Sequence, residues 1–160
     1  MKGDEYNMLK HLKKIIAAFT ILISITTLGL QITKADTLLA DGKYTVNFKV
    51  LQSSNDNESR MNNYVKSPAT LTVKNNKKYI SFKVNSSSYI KSLRIKKGNK
   101  FVDTAVLEKN IQENSRIVEF EVDNLLNILD SKVHVKIPVI YDKTYDIRIF
   151  FDTNVFPIVK

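Results

Sequence analysis

An antiparallel β-sandwich is the fold class this sequence predicts, on three observations. From Asp41 onward apolar and polar residues alternate with a period of two. Asn75-Asn76 and Gly98-Asn99 break that alternation with residues that tolerate the positive φ of tight hairpin turns. The resulting segments, about eight of them, are short and closely spaced, which suits antiparallel strands stacked in two layers.

Taken in order, Tyr44, Val46, Phe48 and Val50 alternate with Lys43, Thr45, Asn47 and Lys49, so a first strand over Lys43 to Leu51 sends one set to the core and the other to water. Ser53 to Asn63 is polar and irregular and leads to Tyr64, Val65 and Pro68, which predicts a loop holding a short 3₁₀ or α turn. Strands follow at Thr70 to Lys74 and Lys78 to Asn85 around Asn75-Asn76, then at Tyr89 to Lys96 and Lys100 to Leu107. Arg116 to Val122 points Val118, Phe120 and Val122 inward. Asp123 to Leu129 can be capped by Asp123 and form one or two helical turns. Lys132 to Pro138 and Ile140 or Tyr141 to Phe151 complete the set.

Composition narrows the chemistry. The chain has 160 residues, 43% hydrophobic and 26% charged, room for one domain and a targeting segment. Absence of Cys removes thiolate zinc sites, iron–sulfur clusters, Cys nucleophiles and disulfides. Only His11 and His134 are available as imidazoles. Of the net charge of +9, residues 1–35 contribute +3, leaving a moderately basic remainder that a solvated lysine-rich surface explains and that also favours anionic partners.

Residues 1–35 read as a secretory signal peptide. Lysines end the polar stretch Met1 to Lys14, an apolar run follows from Ile15 to Leu30, and Thr33-Lys34-Ala35 places small residues for cleavage before Asp36. The run is shorter than the roughly 20 residues that span a bilayer easily, so no stable membrane span is expected after cleavage. The expected product is residues 36–160, a single secreted β-sandwich domain.

No catalytic constellation emerges, and no enzyme is expected. His134, between Val133 and Val135, falls on the outward face of its strand, and the chain has no glycine-rich phosphate loop. The basic and aromatic run Tyr89 to Lys97 reads as a solvated strand face; in an exported protein nucleic-acid binding is not expected.

The last strand is the informative one. Tyr141 and Tyr145 share parity with Ile147, Ile149 and Phe151, so two phenols project over an apolar surface. Four residues of regular strand separate them by roughly 13 Å, and the rings can meet only if they lean together or a bulge intervenes. Phenolate oxygen is a known axial ligand of haem iron. The turn Ser59-Arg60-Met61 offers a hydroxyl and a guanidinium for carboxylates and a flexible thioether for a flat apolar face.

Together these residues resemble the NEAT (near-iron transporter) domain of Gram-positive haem-uptake systems. The resemblance rests on Tyr141-Asp142-Lys143-Thr144-Tyr145, Ser59 to Tyr64, Lys66 to Leu71 and Asn85 to Ile90, and covers about Leu39 to Asp152. It implies an immunoglobulin-like antiparallel sandwich with a short 3₁₀/α lip helix, holding ferric haem (protoporphyrin IX). Tyr141 is then expected as the iron ligand and Tyr145 as its hydrogen-bonding neighbour. Ser59 and Arg60 are expected near propionates and Met61 over the distal face, with Tyr64, Val65, Tyr89 and Ile147 in the pocket. The implied role is that of a secreted haemophore, extracellular or loosely held at the wall, relaying haem to other NEAT carriers there. Ser59 to Asn63 has no aromatic, unlike the lips of relatives that capture haemoglobin, which leaves direct haemoglobin binding open while haemoglobin stays a candidate donor. A haemoglobin-binding or adhesive sandwich with structural tyrosines is the competing reading.

Overall fold

The structure is a computed structural model that describes residues 39–153. The expected signal peptide and its cleavage point lie outside the described residues. Nine strands and one 3₁₀ turn succeed one another: β1 (Gly42–Gln52), η1 (Arg60–Tyr64), β2 (Ala69–Lys74), β3 (Lys77–Asn85), β4 (Ile90–Lys97), β5 (Lys100–Asp103), β6 (Ala105–Asn110), β7 (Ser115–Val122), β8 (Leu129–Ile137) and β9 (Tyr141–Asp152). All pairings are antiparallel, in the order β5-β4-β8-β9-β1-β2-β3-β7-β6.

β1 makes this continuous ladder a sandwich. Its first half, Gly42 to Val46, pairs with β2, and its second half, Asn47 to Gln52, pairs with β9, so the strand passes from one layer to the other. Phe48 marks the crossing and joins the layers: its ring lies 4.6 Å from that of Phe82 and 6.2 Å from that of Phe151, and Phe82 meets Phe120 edge to face at 5.9 Å. Around these rings Val46, Leu71, Ile80, Val84, Val118 and Ile149 are fully buried, as period-two alternation requires.

Leaving β2 exposes one backbone edge of β1, and the polar Ser/Asn segment covers it. Phe48 N–H donates to Ser67 Oγ at 3.1 Å, Val50 N–H to Asn62 Oδ1 at 2.9 Å, and Gln52 N–H to the Asn57 carbonyl at 2.9 Å, while Ser59 N–H donates to the Val50 carbonyl at 2.8 Å. Buried backbone groups demand partners, so short polar side chains replace a missing strand. The same contacts seat the lip turn η1 on β1. Ser59 caps it, its Oγ accepting from Met61 N–H at 3.3 Å.

Two expectations need correction. Asp123 to Leu129 forms bends rather than helical turns: Asn124 Oδ1 accepts from Leu126 N–H at 2.8 Å and Leu125 is buried, so a side-chain-closed turn competes successfully with the helix. Lys100 to Leu107 is two strands in opposite layers. Thr104 N–H donates to the Leu93 carbonyl, after which the chain joins β7. Edge strands pack on one neighbour only, so the alternation there carried no burial signal. The hairpin expected at Asn75-Asn76 is present, with φ of 52° and 61° as a type I′ turn requires.

Candidate functional site

One end of the sandwich opens into a groove of about 830 Å³, between the lip turn, the start of β4 and the β8–β9 hairpin. Its floor is apolar: Met61, Ile90, Val133, Val135, Ile137 and Ile147. Its rim is polar, with Gln52, Ser53, Ser54, Glu58, Ser59, Arg60, Ser86 and Asp146. Tyr64, Tyr89, Ile140, Tyr141 and Tyr145 are part-exposed around the opening. An apolar cavity of this size with few polar groups at its edge suits a small organic ligand.

Tyr141 and Tyr145 are stacked, with ring centroids 6.4 Å apart and planes inclined by 17°. Register from Ile137↔Tyr141 to Val133↔Tyr145 is continuous, so no bulge brings them together; the side chains lean. Each is about one-third exposed, at 36% and 38%, and both line the groove. Lys143, on the same parity, holds its ammonium 5.1 Å from the Tyr145 ring.

The outward face ties down this hairpin. Asp142 accepts from His134 Nε2 and Lys136 Nζ, each at 2.7 Å. Lys136 and His134 hold its carboxyl below the usual carboxylate range. Lys132 pairs with Asp146 in the same way. His134, read from sequence as an outward strand residue, therefore braces the tyrosine-bearing strand from behind.

At the hairpin tip, Ile140 N–H donates to the Ile137 carbonyl at 3.1 Å around Pro138-Val139, and Val139 has φ of 66°. A β-branched residue there is strained, and Val139 is also fully exposed. Val139→Gly is expected to raise stability by about 0.5–1 kcal/mol, relief of strain outweighing glycine's extra chain entropy; urea unfolding checks this.

Across the groove, Arg116 positions Tyr89 and Ile90. It is only 6% exposed, and its guanidinium donates to the Ser87 carbonyl at 3.3 Å, Ser87 Oγ at 2.8 Å and the Ile90 carbonyl at 2.6 Å, closing the turn from Ser86 to Tyr89. Burial pushes its pKa down from the usual arginine value.

Of the residues expected at the site, Ser59, Arg60, Met61, Tyr64, Tyr89, Tyr141, Tyr145 and Ile147 line the groove. Val65 does not: it is 8% exposed, bridges Val84 and belongs to the core, so its side chain is spent on packing beneath the lip. Met61 serves both, buried in the core cluster with its surface toward the groove. Val133, Val135 and Ile137 form much of the floor and were not singled out from sequence, although their alternation with Lys132, His134 and Lys136 marked one apolar face. Among the described residues no group of three or more His, Cys, Asp or Glu side chains could hold a metal ion. The oxygen donors around the groove are the Tyr141 and Tyr145 phenols, set over the apolar floor, and the carboxylates of Glu58 and Asp146 at the rim.

Residues 37–153 match the NEAT family, described as an Iron Transport-associated domain. The chain belongs to the NEAT family. This NEAT chain is 36% identical over 146 residues to Hemin/hemoglobin-binding protein 1 of Listeria monocytogenes, spanning 88% of the chain and 68% of the relative. It is 30% identical over 154 residues to Iron-regulated surface determinant protein C of Staphylococcus aureus, spanning 91% of the chain and 62% of the relative. Hemin/hemoglobin-binding protein 2 of Listeria monocytogenes is 36% identical over 118 residues, 72% of the chain, which spans only 21% of that longer protein. Among solved structures, the NEAT5 domain of IsdX2, a B. anthracis hemophore in complex with heme, is 40% identical with a TM-score of 0.70, covering 73% of this chain and 100% of that one. A mutant of the same NEAT5 domain, also in complex with heme, gives a TM-score of 0.71 at 40% identity, covering 74% of this chain and 100% of that one. The immunoglobulin-like sandwich expected of a NEAT domain is the observed fold.

Proposed function

We propose that this NEAT domain is a haem carrier that takes ferric haem into the groove through the Tyr141 phenolate and passes it to other NEAT carriers without catalysis. The observation that carries the reading is the stacked Tyr141–Tyr145 pair set over an apolar floor in a groove of about 830 Å³. The NEAT5 heme complexes and the hemin-binding relatives support it.

The residues present fit that cargo. A flat apolar ring would be buried against Ile90, Val133, Val135 and Ile147, which supplies most of the affinity. Tyr141 would place a hard oxygen on the iron, and Tyr145, stacked beside it, would tune that oxygen as neighbours of a ligand do. Ser59 uses its oxygen lone pair as the cap acceptor, which leaves its O–H free to donate to a carboxylate at the rim, with Arg60 exposed beside it. An open groove on an accessible hairpin suits transfer better than storage. In this reading residues 36–160 act outside the cell or at the wall after cleavage, and haemoglobin is the candidate donor, a proposal supported by Listeria relatives named as hemin/hemoglobin-binding.

Titrating ferric haem into the purified protein tests this. A Soret band saturating at one haem per chain is expected, and no saturable band would refute it. Tyr145→Phe is expected to retain haem while shifting the spectrum and changing the rate of haem loss severalfold; an unchanged spectrum and rate would remove Tyr145 from the ligand's surroundings.

A further inference from the structure

The pole opposite the groove carries a second surface. β3 runs nine residues from the β2–β3 turn to Asn85 beside the groove, so that turn lies about 26 Å away along the strand. The β4–β5 turn lies at the same end, since Ile90 pairs with Val135 near the groove and Ile95 with Ser131 away from it. Each tip carries a like-charge pair on its ladder: Lys74 faces Lys77, and Lys97 faces Lys100. Lysines directly opposite each other repel, so each pairing opposes folding. The tips come from different layers, yet both reach one carboxylate on β7, Glu121, which Lys77 approaches at 3.6 Å and Lys97 at 2.6 Å. Nearby acids are already engaged: Asp41 accepts the Asn75 N–H with both oxygens, at 3.1 and 3.0 Å, and Asp130 pairs with Lys96 at 2.9 Å. Asp123 lies close enough to Lys97 to act on its charge.

We infer that these two hairpin tips form a docking surface for a linear phosphate polymer, which would hold the domain by one pole and leave the groove at the other open. Exposed ammonium groups spread over two tips match charges repeated along a chain rather than one compact anion, and side-chain exposures of 60% for Lys77 and 52% for Lys97 leave them accessible. The inference does not depend on what the groove binds.

The test titrates the purified protein with long-chain inorganic polyphosphate at low and at physiological salt. Wild type is expected to bind, more weakly as salt rises. Lys74→Gln/Lys77→Gln/Lys97→Gln/Lys100→Gln is expected to lose at least tenfold in affinity, with thermal stability near wild type because relief of the opposed lysines offsets loss of the exposed Glu121 pairs. Lys83→Gln/Lys91→Gln/Arg94→Gln/Lys109→Gln, equal in charge removed, is expected to stay within about twofold of wild type, as is Tyr141→Ala. Equal losses in both quadruple variants would reduce the effect to net charge and overturn the inference. So would absence of binding by wild type, a matching loss in Tyr141→Ala, or stronger binding to phosphatidylglycerol vesicles than to polyphosphate.

Discussion

Tyr141→Ala is expected to lower haem affinity by on the order of 100-fold or more and to remove any tyrosinate signature from the spectrum, with the fold intact. Changing a group that merely supports a ligand typically costs 10–100-fold, so loss of the ligand itself sets a larger expectation. The fold should survive because Tyr141 is 36% exposed and contributes to none of the aromatic contacts at the layer crossing. Haem titration with circular dichroism on the same sample checks both halves. A folded variant that binds haem like wild type would remove Tyr141 as ligand; an unfolded one would make it structural, as the competing adhesive reading holds.

Arg116→Ala is expected to cost about 3 kcal/mol of stability and to weaken haem binding as well. Arg116 is 6% exposed, and its guanidinium donates to the Ser87 carbonyl and hydroxyl in the turn before β4 and to the carbonyl of Ile90, the first residue of β4. Hydrogen bonds to a charged group are worth about 1.5–3 kcal/mol, and deleting the side chain also leaves a cavity and unpaired carbonyls. Tyr89 and Ile90, both in the groove wall, would lose their anchor. Urea unfolding measures the first effect and haem titration of the folded variant the second. A change below about 0.5 kcal/mol would show that solvent replaces the guanidinium at no cost, in the manner of an ordinary surface substitution.

Where local rules act alone, the sequence was legible. The Asn75-Asn76 turn follows from two residues that tolerate positive φ, and the inward faces of β1 and β7 from strict alternation. Asp123 to Leu129 misled because an Asn-closed turn and a helix start share the same residue types. Val65 misled because one residue of parity separates the groove from the core, and an irregular lip has no fixed period to set it.

What the sequence by itself determined was a two-layer antiparallel sandwich, the face of β9 that bears both tyrosines, and the place of the lip. Those follow from periodicity and turn chemistry, which are local. Tertiary structure alone decided that Tyr141 and Tyr145 stack by leaning across roughly 13 Å of strand, and that Arg116 reaches over from β7 to fix the opposite wall. It also decided that the Ser/Asn segment exists to satisfy the edge β1 exposes on changing layers, and that two lysine-tipped hairpins meet at one glutamate. All but the tyrosine stack join residues distant in the chain, and all depend on side-chain direction or backbone hydrogen-bond demand, quantities that exist only once the strands have been assigned their neighbours.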